Sequence, residues 1–178
     1  PIGAPKYTLK RVWLTKEEEN GYYYGFSNQI MWPLCHVVYV RPKFSESDWD
    51  YYRKVNQKFA RAIVDEAGEE KTLVFLQDYH LSICARYIKE MNPKITTVLF
   101  WHIPWPNPEI FRICPWKHEI LQGMLANDIL GFHLKYHCDN FLKTVGYEME
   151  AKIYNEKSAV IREAKTTYVY NYPISVDF

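Results

Sequence analysis

Two short apolar runs of β-strand composition constrain the fold of this chain more than any other feature. Residues 72–76 read TLVFL and are followed closely by Asp78, while residues 95–100 read ITTVLF and are followed closely by His102. The stretch between them repeats apolar residues at helical spacing over 83–91. Strand, helix and strand in this order predict a βαβ unit with parallel strands. Because ligands bind at the carboxyl ends of such strands, Asp78 and His102 are expected to face one crevice.

The rest of the chain continues the alternation of strands and helices. The predicted elements are a strand at 7–14, a helix from 15 to about 31 that Pro33 interrupts, a loop at 35–44, a helix from Ser47 that Gly68 closes, helices at 116–127 and 135–145, a strand at 128–132, and two or three strands within 148–176. Thr15 and Glu18 form a capping-box pattern at the start of the first helix. The prediction is a single α/β domain over residues 1–178, with a Rossmann-like, mostly parallel sheet flanked by helices.

Composition and charge narrow the function classes. A net charge of +1 gives no electrostatic field that favours nucleic acid or an anionic membrane. No apolar run is long enough to span a bilayer, and no signal-peptide pattern occurs. The four cysteines form no CxxC pair and no zinc spacing, so they are interpreted as reduced thiols. We therefore expect a cytoplasmic protein without nucleic-acid or membrane partners.

Nucleotide-binding glycine motifs are missing from this sequence. Neither G-x-G-x-x-G nor a Walker pattern occurs. The predicted strand at 7–14 is also not the apolar strand with a glycine-rich turn that usually opens a nucleotide-binding fold. This predicts that the chain is part of a larger protein. The aromatic share of 17% fits a sugar site, where aromatic faces pack on sugar rings, and fits an aromatic-rich core equally well.

Several motifs in one order resemble a known enzyme family. They are QDYHL at 77–81, WHIPWPNPEIFRICPWKHEIL at 101–121, NDILGFH at 127–133, YYYGFSN at 22–28 followed by MWP at 31–33, and YPISV at 172–176. Together they resemble the trehalose-6-phosphate synthase family of retaining glycosyltransferases with the GT-B fold. The resemblance covers nearly the whole chain, from about residue 20 to residue 178.

This resemblance implies a two-domain enzyme of which the chain is one part. The chain is similar to the later portion of the N-terminal, acceptor-side domain, so the C-terminal nucleotide-sugar domain of the same parent is an expected partner. The implied reaction transfers glucose from UDP-glucose to glucose 6-phosphate with retention, without a cofactor or metal, and the chain alone is expected to be inactive. The alternatives are another acceptor such as glycerol 3-phosphate, or a non-catalytic homologue that binds sugar phosphates. A homo-oligomer is possible.

The resemblance assigns catalytic and sugar-binding roles to two residues. Asp78 matches an aspartate that accepts hydrogen bonds from acceptor hydroxyls, and a carboxylate makes such bonds strong. Its alternative role is an N-cap for a helix beginning near Leu81. His102 matches the histidine that contacts the donor sugar, where an imidazole can donate to one oxygen and accept from another. The alternative for His102 is a core histidine bonded to backbone.

Three further residues match the acceptor side of the family's site. Tyr23 and Trp32 match a tyrosine that bonds phosphate and a tryptophan that offers a stacking face. The run of three tyrosines leaves Tyr22 as a rival for Tyr23, and packing ahead of Pro33 is the alternative for Trp32. Ile103 matches an apolar residue of the acceptor pocket, although a buried isoleucine needs no such explanation.

The histidines also raise the question of a metal site. His133 and His137 have i, i+4 spacing and His80 lies in the QDYHL motif, but no suitable third ligand is near in sequence, so no metal site is predicted.

Three departures from the family pattern bear on the identity of the substrate. Gln77 replaces a usual histidine, and Ser82-Ile83-Cys84 replaces a more apolar segment. Trp105 replaces a phenylalanine beside the acceptor pocket, where a bulkier side chain could change which acceptor fits.

Overall fold

The computed structural model describes residues 7–174, which begin with one long helical segment. It comprises α1 (Lys16–Glu19), a π-helix (Asn20–Met31) and α2 (Trp32–Cys35). The predicted capping box opens it: Thr15 Oγ1 accepts from Glu18 N at 3.2 Å, and the Glu18 carboxylate accepts from Thr15 N at 2.9 Å. A π-helix of this length is unusual, because π geometry mostly occurs as single turns, often near functional sites.

Two predictions for this part of the chain are wrong. Residues 7–15 form neither strand nor helix, and Trp13 is 77% exposed. A β-type composition makes a strand only where a neighbouring strand supplies hydrogen bonds, and none pairs here within the described residues. Pro33 does not interrupt the helix, since it lies in the first turn of α2. Proline is tolerated in a first turn because its missing N–H is not needed there.

The remaining helices and strands follow the predicted order. They are α3 (Glu46–Ala67), β1 (Leu73–Gln77), α4 (Cys84–Met91), β2 (Thr96–Trp101), α5 (Pro108–Phe111), α6 (Lys117–Leu125), β3 (Ile129–Phe132), α7 (Lys135–Glu148), β4 (Lys152–Tyr154), β5 (Ala159–Arg162) and β6 (Lys165–Asn171). Ser45 caps α3 by accepting from Asp48 N, and Gly68, with a φ of 53°, closes it as predicted. The last two residues of the matched segment 172–176 lie outside the described residues.

In the described part of the chain, six strands form one mixed sheet in the order β1-β2-β3-β6-β5-β4. Strands β1, β2, β3 and β6 are parallel, with Leu76 opposite Leu99 and Leu99 opposite Leu130. The hairpin of β4 and β5 extends the sheet in antiparallel fashion beside β6. The parallel part confirms the predicted βαβ arrangement and brings the carboxyl ends of β1, β2 and β3 side by side.

The two faces of the sheet are covered differently. Leu76, Leu99 and Phe132 point to a face that is buried, with at most 2% exposure. Alternate residues of the strands point to the other face, where Phe75 is 58% exposed and Tyr168 is 42% exposed. Within residues 7–174 the core thus lies on one side of the sheet.

Much of the aromatic content belongs to this core. The largest fully buried side chains include Trp49, Tyr52, Phe26, Trp101 and Trp105. Trp105 donates its Nε1 hydrogen to Thr144 Oγ1 at 3.1 Å and is therefore a core residue and not an open wall of a pocket. All four cysteines are free and buried.

Candidate functional site

Asp78 joins the carboxyl ends of β1 and β2. Its N–H donates to Phe100 O at 2.7 Å, and its Oδ1 accepts from the backbone N–H of His102 at 3.0 Å and of Tyr79 at 2.9 Å. These bonds continue the pairing of the two strands beyond the sheet. The structure thus brings together Asp78 and His102, as the strand-end argument predicted.

Asp78 also caps a short helix, as its alternative interpretation proposed. The capped element is the 3₁₀-helix Tyr79–Leu81, because Oδ1 accepts from Tyr79 N. Capping occupies one carboxylate oxygen only. Within residues 7–174 no hydrogen bond to Asp78 Oδ2 is found, and the residue is only partly buried. One side chain can therefore shape the turn and still accept a bond from a ligand.

His102 is exposed, so the alternative of a core histidine is wrong. Its Nε2 lies 2.7 Å from Gln77 Oε1. Its ring meets Phe100 edge to face at 4.7 Å between centroids, and His133 at 5.6 Å. Alternation along adjacent strands explains this grouping, since residues 77, 100 and 102 point to the exposed face of the sheet.

A small cavity opens between His102 and the end of β3. It has a volume of about 320 Å³. Its walls include His102, Ile103, Pro104, His133, His137 and Ile174. Ile103 is 8% exposed, so it contributes to both the core and the cavity wall. Burial lowers the pKa of His137, whose Nδ1 lies 3.3 Å from Trp105 N.

Tyr23 is linked to the turn at Asp78 through the rings of His80 and Tyr79. The Tyr23 and His80 rings are stacked at 5.2 Å, and His80 packs on Tyr79 at 4.0 Å. Burial lowers the pKa of His80, although the Asp78 carboxylate opposes the change. Tyr22 is buried at 6% exposure and Tyr23 is 41% exposed. Of the two rival tyrosines, Tyr23 is therefore the one available to a ligand.

Trp32 lies at the end of the π-helix opposite to Tyr23. Its indole is 41% exposed and stacks on His36 at 4.0 Å with an angle of 27° between the rings. The His36 Nδ1 lies 2.8 Å from Trp32 O. One face of the indole is thus covered by a neighbouring side chain. The sequence-predicted residues Asp78, His102 and Ile103 form one group, Tyr23 joins it through His80, and Trp32 stands apart.

Comparison with known proteins identifies the family. The model of glycosyltransferase family 20 matches residues 3–178. The chain belongs to this family. It is 38% identical over 184 residues to the trehalose-6-phosphate synthase of Mycobacterium ulcerans, covering 99% of this chain and 37% of that protein. The chain thus spans a little over a third of the length of this curated relative.

Solved structures of the family share the fold. A Burkholderia vietnamiensis α,α-trehalose-phosphate synthase has a TM-score of 0.86 and 28% identity, covering 92% of this chain and 37% of that one. An Escherichia coli structure described as bound with UDP-2-fluoro glucose has a TM-score of 0.86 and 25% identity. The match covers 99% of this chain and 41% of the E. coli chain. The chain therefore has the fold of part of a GT-B glycosyltransferase, as the sequence predicted.

Two side chains that the structure places beside the candidate residues are not assigned to the site by the sequence. From the sequence, Gln77 is only a departure from the family pattern, and His133 is only a histidine without enough partners for a metal site. Strand alternation was the available signal, because residues two apart along β1, β2 and β3 share a face. Across residues 7–174 no group of three or more His, Cys, Asp or Glu side chains is arranged to hold a metal ion. The expectation that no metal is required stays a prediction.

Two cavities that are larger than the one beside His102 lie away from the candidate site residues. One of about 630 Å³ lies between α7 and β6, and one of about 530 Å³ lies beside Arg86 and Lys165. Neither contains a residue that the sequence assigned to the site. In the described part of the chain, no helix is both long enough and apolar enough to cross a membrane.

Proposed function

We propose that this chain is part of a retaining glucosyltransferase that transfers glucose from UDP-glucose to glucose 6-phosphate, giving trehalose 6-phosphate and UDP. The observation that carries the proposal is the bond between Asp78 Oδ1 and the His102 N–H, which fixes two sugar-binding candidates at neighbouring strand ends. Membership of glycosyltransferase family 20 and the names of the relatives support it. The E. coli structure with UDP-2-fluoro glucose supports a UDP-glucose donor.

The roles of the residues follow from their chemistry. Asp78 Oδ2 accepts hydrogen bonds from hydroxyls of the acceptor glucose, and such bonds to a carboxylate are short and strong. His102 binds the donor sugar. On the acceptor side, Tyr23 offers a phenol to the phosphate, Trp32 offers an indole edge, and Ile103 forms an apolar wall of the pocket.

The reaction needs no covalent nucleophile from this chain. The bond between the glucose anomeric carbon and the UDP oxygen breaks, and the acceptor hydroxyl oxygen forms the new bond on the same sugar face. The hydroxyl proton passes to the departing UDP phosphate. The contribution of the protein is to hold two sugars in reacting geometry, which can account for a large part of an enzymatic rate.

The proposal also covers the second domain, the substrates and the cellular compartment of the parent enzyme. A C-terminal domain of the same parent binds the nucleotide sugar and completes the cleft, and no metal or organic cofactor takes part. The partners are then the sugar phosphate and the nucleotide sugar, with neither nucleic acid nor membrane involved. The protein acts in the cytoplasm, and a homo-oligomer is compatible with this arrangement.

The test measures UDP release by the full-length protein that carries this chain. UDP-glucose is supplied with glucose 6-phosphate or glycerol 3-phosphate as acceptor. We expect release with glucose 6-phosphate only, and a fall of at least ~10²-fold in turnover for His102→Ala, since a positioned polar group is worth that much. His118→Ala removes an exposed histidine on α6 and serves as the control.

Any other outcome would contradict either the proposed function or the role of His102. Release with glycerol 3-phosphate alone would assign a related synthase with another acceptor. Absence of release with both acceptors would favour a homologue that binds sugar phosphates without transfer. Wild-type turnover in His102→Ala would remove that residue from the site.

A further inference from the structure

The contact between Gln77 and His102 is fixed by the backbone on both sides. Asp78 N donates to Phe100 O at 2.7 Å, and His102 N donates to Asp78 Oδ1 at 3.0 Å. Both side chains therefore leave a rigid, paired main chain and point to the same face of the sheet. The fold thus places the two side chains next to each other, where Gln77 Oε1 lies 2.7 Å from His102 Nε2.

The other neighbours of the His102 ring leave its second nitrogen open. Phe100 and His133 meet the ring edge to face, at centroid distances of 4.7 and 5.6 Å. Asp78 uses Oδ1 on the His102 backbone and not on its ring. Over residues 7–174 no hydrogen bond involves His102 Nδ1. Among the ring nitrogens of His102, Nδ1 is the one free to meet a ligand.

We propose that Gln77 is a positioning residue that holds His102 in the tautomer with hydrogen on Nε2, so that Nδ1 accepts a hydrogen bond from a hydroxyl of the sugar substrate. An amide oxygen only accepts hydrogen bonds, so the ring nitrogen facing it must donate. A neutral imidazole with hydrogen on Nε2 carries its lone pair on Nδ1. The inference rests on the proposed function, which assigns the donor sugar to His102.

Glutamine suits this role because it does not titrate. Protonation of His102 makes both ring nitrogens donors and removes the acceptor at Nδ1. The titratable groups around the ring are Asp78, His133 and, across the small cavity, His137. Gln77 supplies an amide oxygen as hydrogen-bond acceptor and binds no proton itself. A glutamate at position 77 would stabilise the protonated, positively charged form of His102. Because that form lacks the acceptor at Nδ1, the enzyme would then be inactive up to a higher pH.

The test compares Gln77→Met and Gln77→Glu with the control Gln57→Met in the full-length protein. Both glutamines are exposed, so none of these changes is expected to prevent folding. We expect Gln77→Met to lower kcat by about tenfold, the scale of one lost hydrogen bond, while Gln57→Met keeps the wild-type value. We expect Gln77→Glu to keep turnover at high pH and to move the acid limb of its pH profile upward by about one pH unit. Wild-type kcat in Gln77→Met and an unmoved profile in Gln77→Glu would overturn the proposal.

A second measurement is independent of turnover. NMR of the full-length protein labelled with ¹⁵N-histidine reports which ring nitrogen carries hydrogen, and His102→Asn identifies the His102 signals. The proposal expects the Nε2–H tautomer in the wild type and a mixture of tautomers in Gln77→Met. An Nδ1–H tautomer in the wild type would overturn the proposal even in an active enzyme. The expected tautomer in a protein that releases no UDP would reject the proposed function and leave the pairing of Gln77 with His102 supported.

Discussion

At the scale of single residues, the backbone of Asp78 is the most unusual feature of the site. Its φ of 69° and ψ of 175° lie in a region that almost only glycine adopts. Such a conformation costs about 1–3 kcal/mol in a residue with a side chain. The bonds from the Tyr79 and His102 N–H groups to Oδ1 offset part of this cost. A carboxylate kept in a glycine conformation is consistent with a ligand-binding role.

Substitutions of Asp78 separate its charge from its conformation. Asp78→Asn keeps an oxygen for both backbone N–H groups and removes the charge, so we expect turnover to fall at least ~10²-fold with little change in stability. Asp78→Gly removes the strain together with the cap, whereas Asp78→Ala keeps the strain and loses the cap. We therefore expect Asp78→Ala to be the least stable variant, by about 1 kcal/mol relative to Asp78→Gly. Urea unfolding and UDP release measure the two effects, and full activity in Asp78→Asn would contradict the assigned role.

At the scale of elements, a buried carboxylate attaches the first helix to α3. Glu18 is 1% exposed and meets Lys58 Nζ at 2.6 Å and Lys54 Nζ at 3.1 Å, besides accepting from Thr15 N. Burial by itself raises the pKa of Glu18, but the bonds from Lys58, Thr15 and Lys54 outweigh it and lower the pKa to about 2. The carboxylate thereby fixes the start of the helical segment that carries Tyr23.

Glu18→Gln should reveal this link in the pH dependence of stability. Because the folded pKa lies below the unfolded value of about 4.3, the carboxylate stabilises the fold above pH 4.3 and ceases to do so as pH falls toward 2. We expect the variant to lose about 2 kcal/mol of unfolding free energy at pH 7. The difference from the wild type should shrink between about pH 4 and pH 2. A difference that stays constant over this range would show that Glu18 stabilises by packing and not by charge.

Close packing of α6 supports the turn that follows Asp78. A Cβ added to Gly123 would lie 2.5 Å from the Ile83 Cα, a backbone atom that cannot move aside easily. We expect Gly123→Ala to cost about 1–3 kcal/mol in thermal or urea unfolding. Gly146→Ala is the matched control on α7, since its Cβ would meet only the flexible Cδ1 of Ile153 at 3.1 Å. Equal stabilities of the two variants would contradict the packing argument.

At the scale of the whole molecule, the site occupies one end of the sheet and lacks cationic groups. Neither arginine nor lysine is among its members, which are Tyr23, Gln77, Asp78, His102, Ile103 and His133, and the separate Trp32 adds no charge. A nucleotide sugar and a sugar phosphate both carry phosphates, which proteins bind chiefly with such cations. The chain also spans only 37% of the M. ulcerans relative. The proposed reaction therefore needs groups that the site of this chain does not supply.

The 178-residue chain by itself is expected to release no UDP from UDP-glucose. The same assay on the full-length protein should show turnover, because there the donor phosphates meet their partners and the cleft excludes water. Calorimetry with UDP-glucose should likewise detect binding only for the full-length protein. Turnover by the isolated chain would show that its own residues suffice for both substrates, and would refute the two-domain description of the site.

The sequence by itself determined the elements whose pattern is local. The periodicity from Ser47 to Gly68 predicted helix α3, and the apolar runs before Asp78 and His102 predicted two parallel strands with a shared end. These predictions succeeded because hydrophobic spacing and capping act within a few residues. The family motifs added the GT-B fold, which local patterns alone did not give.

Only the tertiary structure decided which side chains meet. It buried Tyr22 against α3, left Tyr23 outside and placed Gln77 beside His102. It also left residues 7–15 without a pairing strand among residues 7–174. Each outcome depends on contact between segments far apart in sequence, and residue spacing carries no information about which segments pack together. Local pattern therefore specified where strands end, and packing specified what each end presents to a substrate.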